Sequence, residues 1–356
     1  MTTSSICTRS IAAVIALSFA GLAAPSASAQ TTATTIPVGF ITKTAPAAVD
    51  ASTPSNTPVS IPLYQTADFQ SAVASTPAAG SHDITLTGAL FTPTTQFSVT
   101  PHLIRVKTGT LTGKFWLILS NSANGVSTKE PNGGTLGVAD GDLTGLVAGD
   151  SCEILPANTL GTVFGSTTPI AGLGTGTTAG GALVDNILIW NGVTLTFDTY
   201  FYHSGNSRWQ KGISNATNTV LYPDDSVFIV RKGASPLPFT TMGTVPSTVE
   251  RTELFGASSN FVSNRFPVDL TLGTSGIENT PGWVKNTTAG ASDTVLLWNA
   301  VTGSWDTYFF HSGNNRWQKG ISNSTNVQIG AAAGFFIVRL AGTSNAILSQ
   351  NLPYTP

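Results

Sequence analysis

Short runs rich in Val, Ile, Thr, Phe and Tyr alternate along this chain with clusters of Gly, Asn, Asp and Pro. Leu103-Ile-Arg-Val-Lys107, Phe115-Trp-Leu-Ile-Leu119 and Val227-Phe-Ile-Val-Arg231 are typical. Branched and aromatic side chains fit a pleated, half-buried surface, and the residues between them supply turns, so the pattern predicts strands. Beyond residue 29, no stretch sustains apolar residues at helical spacing with caps, and only Gln65 to Ser75 admits a short helix. The expected class is all-β: an N-terminal β module, small barrel or sandwich, followed by two homologous β-sandwich-like repeats.

The repeats are read directly from the sequence. His203-Ser-Gly-Asn-Ser-Arg-Trp-Gln-Lys-Gly-Ile-Ser-Asn-Ala-Thr-Asn218 returns 108 positions later as residues 311–326, differing only at Ser207/Asn315 and Ala216/Ser324. Thr159-Leu-Gly-Thr162 matches Thr271-Leu-Gly-Thr274, Thr177-Thr-Ala-Gly180 matches Thr287-Thr-Ala-Gly290, and Phe228-Ile-Val-Arg231 matches Phe336-Ile-Val-Arg339. One unit built twice is the physical reading of such self-similarity. Within it the pattern predicts a meander: a strand at Ile187–Trp190, a turn at 191–195, a strand at Thr196–His203, a turn at 204–207 and a strand at Arg208–Lys211. Period two places Asp198, Tyr200 and Tyr202 on one face, with Phe201 and His203 on the other.

Boundaries follow from these marks. Residues 30–79 hold N-terminal strands and a linker, 80–154 a β module, 155–233 repeat A, 234–265 a connecting segment, 266–342 repeat B and 343–356 a tail. A weaker echo between Val59-Ser-Ile-Pro-Leu63 and Val262–Val268 would start repeat A near residue 37, with the 80–154 module inserted in it.

Arg9, the apolar run Ile11 to Ala24 and Ala27-Ser28-Ala29 form the three parts of a secretory signal, with cleavage expected before Gln30. The run is too short for a good membrane span, so no transmembrane segment is expected in the mature chain. Cleavage would remove Arg9 from 16 basic residues and none of the 18 acidic ones. That weak acidity gives no means of attracting nucleic acid. Only Cys152 would remain of the two cysteines, so the mature chain is held by core burial without a disulfide.

The combination Trp298-Asn, Trp305-Asp-Thr-Tyr-Phe-Phe310, Arg316-Trp317 and Phe336-Ile-Val-Arg339 resembles a family of secreted bacterial proteins of unknown function with repeated aromatic-rich β modules. Pro37-Val-Gly-Phe40, Asp142-Leu-Thr-Gly-Leu146, Ala148-Gly-Asp150 and Thr159-Leu-Gly-Thr162 extend the resemblance over most of the chain. It implies export and modular architecture, and brings no activity with it.

The candidate ligand-binding residues are Tyr200, Asn206, Arg208 and Trp209 in repeat A, with Tyr308, Asn314, Arg316 and Trp317 in repeat B. Flat rings beside amide and guanidinium donors suit the faces and hydroxyls of sugars. The same residues suit a structural role, with each Trp anchoring a core and each Arg lying across its ring. The polar turn is the most alike part, whereas 219–226 and 327–334 have diverged. Shared turn chemistry, contact between repeats and ligand binding all fit that distribution.

Other chemistry has weaker marks. Asp140-Gly-Asp142 with Asp150 offers oxygen ligands to calcium, but lacks the spacing of a dedicated loop. His203 and His311 have no second ligand at metal spacing, so neither metal nor cofactor is expected. Asp185 with Asp198, and Asp293 with Asp306, are the candidate carboxylate pairs of a hydrolase, beside a simpler reading as solvated turn acids. No nucleophile elbow, phosphate loop or zinc-protease motif is present. The expectation is a secreted, non-enzymatic structural or adhesive protein that contacts protein or glycan at the cell exterior through duplicated hairpins. Self-association is compatible with it. A bivalent carbohydrate-binding protein is the alternative, and a polysaccharide-acting hydrolase the third.

Overall fold

Three six-stranded antiparallel sheets account for the alternation of apolar runs and turns. The structure, a computed structural model, describes residues 37–355 apart from 51, 94, 95, 98 and 130–142. Among these residues the helical content is small: the α-helix Leu160–Phe164 and the 3-10 turns Ile277–Asn279 and Ala289–Ala291. The chain is all-β.

The sheet of repeat A runs, from its edge, through Ser214–Asn215, Arg208–Lys211, Thr196–His203, Asn186–Asn191, Ser226–Arg231 and Ser55–Ser60. The sheet of repeat B has the same order: Ser322–Asn323, Arg316–Lys319, Ser304–His311, Thr294–Asn299, Gly334–Val338 and Ser259–Ser263. A two-stranded ribbon accompanies each, Val38–Ala45 with Leu237–Thr244 and Glu250–Leu254 with Ala346–Gln350. Strands of both sheets therefore lie outside the spans 155–233 and 266–342. Their places are set by backbone pairing with the closing strand of each sheet, which leaves little trace in side-chain identity.

The third sheet runs Phe69–Ala72, Ser151–Pro156, His102–Val106, Phe115–Asn121, Gly125–Lys129 and Asp83–Thr85. Its strands fall in the chain between Ser55–Ser60 and Asn186–Asn191, both of which belong to the sheet of repeat A. Phe69–Ala72 corrects the short helix expected over 65–75. Its pairing with Ser151–Ile154 supplies the hydrogen bonds that a helix would have made internally.

Each sheet encloses its own core: Ile187, Tyr202, Trp209 and Ile229 in repeat A, Val295, Phe310, Trp317 and Ile337 in repeat B, Ile104, Trp116 and Ile154 in the third sheet. The repeats meet through an aromatic layer. Phe261 stacks on Phe228 at 5.2 Å and on Phe336 at 4.7 Å, and Trp190, Phe197, Trp298 and Trp305 pack around them. Trp298 and Trp305, prominent in the sequence, thus serve contact between repeats.

A buried ionic cluster ties the third sheet to the repeats. Glu250 pairs through one oxygen with Arg105 and through the other with Arg265, and accepts a 2.6 Å hydrogen bond from the Tyr64 hydroxyl. Arg105 also reaches Glu153 at 3.1 Å. Glu250 is fully buried and Arg105 and Arg265 nearly so, so each charge depends on its partners for the solvation it has lost.

Candidate functional site

The near-identical segments fold into near-identical hairpins. In each, two turns set the geometry. Asn206 N donates to His203 Nδ1 at 3.0 Å, as Asn314 N does to His311 Nδ1. Ser207 and Asn315, at the first difference between the copies, both have left-handed φ, 46° and 48°. Gly212 and Gly320 take φ of 59° and 60° at the first position of two-residue turns, followed by Ile213 and Ile321. Asn215 and Asn323 then accept the N–H two residues on at 3.0 Å.

The rings expected to face ligand do not. Trp209 and Trp317 are 0% and 1% exposed, and Tyr200 and Tyr308 7% and 6%, all within the cores of their sheets. Burial raises both phenol pKa values. Trp209 Nε1 donates to Gly165 O at 2.8 Å. This corrects the sugar-platform expectation for the four rings: an alternating strand puts them on the inward face, and no face of either indole is left for a ligand. Nor do Arg208 and Arg316 lie across the indoles. With the Gln210 amide oriented to satisfy its neighbours, its oxygen accepts from Asn206 Nδ2 at 2.8 Å and from Arg208 Nε and Nη2 at 3.2 Å. Gln318 accepts from Asn314 Nδ2 at 2.8 Å and from Arg316 Nε and Nη2 at 3.1 and 3.2 Å.

The opposite face of the hairpin carries an open hollow. The segment Thr177–Ala179 crosses it, following a parallel bridge from Gly176 to His203, and leaves a hollow of about 440 Å³. Phe201 and Gln210, both buried, form its floor with Thr199. Thr177, Thr178, Ala179, His203 and Asn206 border it, and Gly212 and Ile213 complete the rim. In repeat B the corresponding residues are Thr287, Thr288, Ala289, Thr307, Phe309, His311, Asn314, Gln318, Gly320 and Ile321, the same residue type at all ten positions. Their frame matches as well. Asn286 bridges His311, and Phe309 meets His311 at 6.0 Å and 39°, against 6.0 Å and 41° for Phe201 and His203.

Asn206 and Asn314 are therefore the candidate residues that reach an accessible surface, and Arg208 and Arg316 support them. Thr177–Ala179, Thr199, Phe201 and Ile213 were missed in the sequence, and His203 was considered there only as a metal ligand. Their signal was present: each recurs in the second copy. Ile213 and Ile321 stand out, since they are 91% and 92% exposed and make no contribution to either core.

The carboxylates have other partners. Asp185 and Asp293 are buried, correcting their reading as solvated turn acids. Asp185 pairs with Arg231, and Asp293 Oδ2 lies 2.9 Å from Arg339 Nε. Their other oxygens accept backbone N–H groups from Lys232 and Leu340. Asp198 and Asp306 each hold a lysine, Lys211 and Lys319, at 2.6 Å. The Lys319 hydrogen bond lowers the pKa of Asp306. Among the described residues no group of three His, Cys, Asp or Glu side chains could hold a metal ion. Asp140 and Asp142, the calcium candidates, and the export signal at 1–29 lie outside the described residues. No helix among the described residues is long and apolar enough to cross a membrane.

No protein-family model, curated protein or solved structure matches this chain.

Proposed function

We propose that this is an exported, non-catalytic structural or adhesive protein of the cell exterior that engages its partner through two copies of one surface hollow. The observation behind this reading is the identity of all ten bordering residues between the repeats. Core packing accounts for Phe201 and Gln210 but not for Ile213 and Ile321, which a two-residue turn does not require to be apolar. Two equal sites in one chain raise avidity through effective concentration, which serves attachment better than it serves chemistry. The hydrolase reading has little support, because Asp185, Asp198, Asp293 and Asp306 are each engaged with a cation. Export rests on Arg9, the apolar run Ile11 to Ala24 and the small residues before Gln30.

Ile213→Asp, Ile321→Asp and the double variant test the reading, since neither side chain takes part in a core. Sedimentation with a cell-envelope preparation from the producing cells should fall partially in each single variant and nearly vanish in the double. Undiminished attachment of the folded double variant would overturn it.

A further inference from the structure

We infer that each hollow takes an uncharged, hydroxyl-rich ligand, the exposed edge of a neutral glycan. This rests on the adhesive reading and adds the chemistry of the partner. None of the ten bordering residues carries a formal charge with His neutral. The nearby lysines Lys211 and Lys319 are neutralised by Asp198 and Asp306, while the guanidinium groups of Arg208 and Arg316 are turned onto the Gln210 and Gln318 oxygens and Lys232 onto the Ala179 and Gly181 carbonyls. A cationic ligand would find no free carboxylate here, and an anionic one would have to draw Arg208 or Lys232 away from hydrogen bonds already made.

The hollow does offer neutral donors and acceptors in alternation. His203 Nδ1 accepts the Asn206 N–H, which places the ring proton on Nε2, and Nε2 has no hydrogen-bond partner among the described residues. Asn206 gives its Nδ2 to Gln210, leaving Oδ1 as an acceptor. The hydroxyls of Thr178 and Thr199 serve either way, and neither has a side-chain partner among the described residues. Neighbouring sugar hydroxyls need such a mixture, because each both donates and accepts. Ile213 at the rim supplies exposed apolar surface of the kind that the C–H face of a pyranose covers, and the buried Phe201 ring underlies the floor. The volume of about 440 Å³ falls within the usual range of small-ligand sites, about 300–1,000 Å³.

Affinity electrophoresis of the whole mature chain in gels containing soluble neutral glucan, mannan, galactan or xylan tests this, with polygalacturonate and heparin as charged comparisons. Retardation is expected by at least one neutral polymer, with little change between about 0.05 and 0.5 M salt, because uncharged contacts are not screened. Removing two hydroxyls without changing shape, Thr199→Val with Thr307→Val, should weaken it at least about tenfold, on the order of one lost hydrogen bond per site. An unchanged circular dichroism spectrum shows that this variant is folded. Retardation by the charged polymers alone, or by none, overturns the inference, as does a folded double-Val variant that binds like the parent. If no neutral glycan binds while Ile213→Asp with Ile321→Asp still abolishes attachment to envelopes, the glycan chemistry fails and the adhesive reading stands. If attachment also persists in that variant, both fail.

Discussion

Trp209→Phe and Trp317→Phe are one chemical change made at matching places in two sheets, yet the first should cost more. The packing losses are nearly equal. Each indole is essentially fully buried, and each meets its cross-strand partner edge to face at 5.8 Å, Tyr202 at 86° and Phe310 at 87°. The cavity contribution therefore largely cancels in the comparison. The indole N–H groups differ. Trp209 Nε1 donates to Gly165 O at 2.8 Å, whereas Trp317 Nε1 is buried with no partner among the described residues. Phe at 209 strands the Gly165 carbonyl, a penalty of about 1–3 kcal/mol, while Phe at 317 removes a donor that already lacked one. The difference should be about 2 kcal/mol, with repeat A the more destabilised. Guanidinium unfolding followed by far-ultraviolet circular dichroism reads it, since that signal does not depend on the indole removed. With a slope of a few kcal/mol/M, the two midpoints should separate by several tenths of a molar unit. Equal midpoints, or a lower one for Trp317→Phe, would refute the reasoning.

Three further outcomes are expected. Glu250→Gln leaves the buried guanidinium groups of Arg105 and Arg265 facing a neutral amide, and should cost about 3–5 kcal/mol; a fall in thermal midpoint of under about 2 °C would count against the cluster as a lock between sheets. Burial pushes the Cys152 thiol from 9.0 up to about 12. Its stabilising contribution is therefore present below pH 9 and lost as the pH rises toward 12, and Cys152→Ala should remove that slope; rapid labelling of the native thiol at pH 8 would contradict it. Ser207→Asn places in repeat A the residue that repeat B uses at the same left-handed φ, and should raise stability by a few tenths of a kcal/mol in denaturant titration, because Asn tolerates that region better than Ser. No gain in midpoint would show that the backbone there is not limiting.

The hairpins were legible because their signals are local. Alternation marks the strand Thr196–His203, and Asn191, Gly205 and their neighbours mark its turns. Burial was less legible, because both faces of that strand are covered. Tyr200 and Tyr202 pack inward, while Phe201 lies beneath Thr177–Ala179 and is 3% exposed. Period two separates the faces without saying which one meets the core or whether the other stays open. The ionic cluster was beyond reading: Arg105 and Glu250 stand 145 positions apart, and no local pattern marks either as buried. The same holds for Asp185 and Arg231, 46 positions apart, although their recurrence as Asp293 and Arg339 was a usable clue.

Internal packing explains much of the likeness between the two hairpins, and what remains unexplained is the better guide to function. Thr159-Leu-Gly-Thr162 docks on its hairpin through Gly161 N to Thr217 O at 2.9 Å, as Gly273 N does to Thr325 O. A Cβ at Gly161 or Gly273 would come within 2.7 or 2.5 Å of the Thr217 or Thr325 methyl, so both sides of this contact are constrained together. Arg208, Gln210 and Asn206 hold one another, and Trp209 fills the core. Each of these would recur in any pair of stable copies, whatever the protein does. Ile213 and Ile321 fall outside every such contact, since solvent faces them on nearly all sides. The second position of such a two-residue turn asks for no apolar side chain, and polar residues commonly occupy it. That both copies keep isoleucine beside the same hollow is the part of the repeat that folding does not account for, and it is there that a partner is best sought.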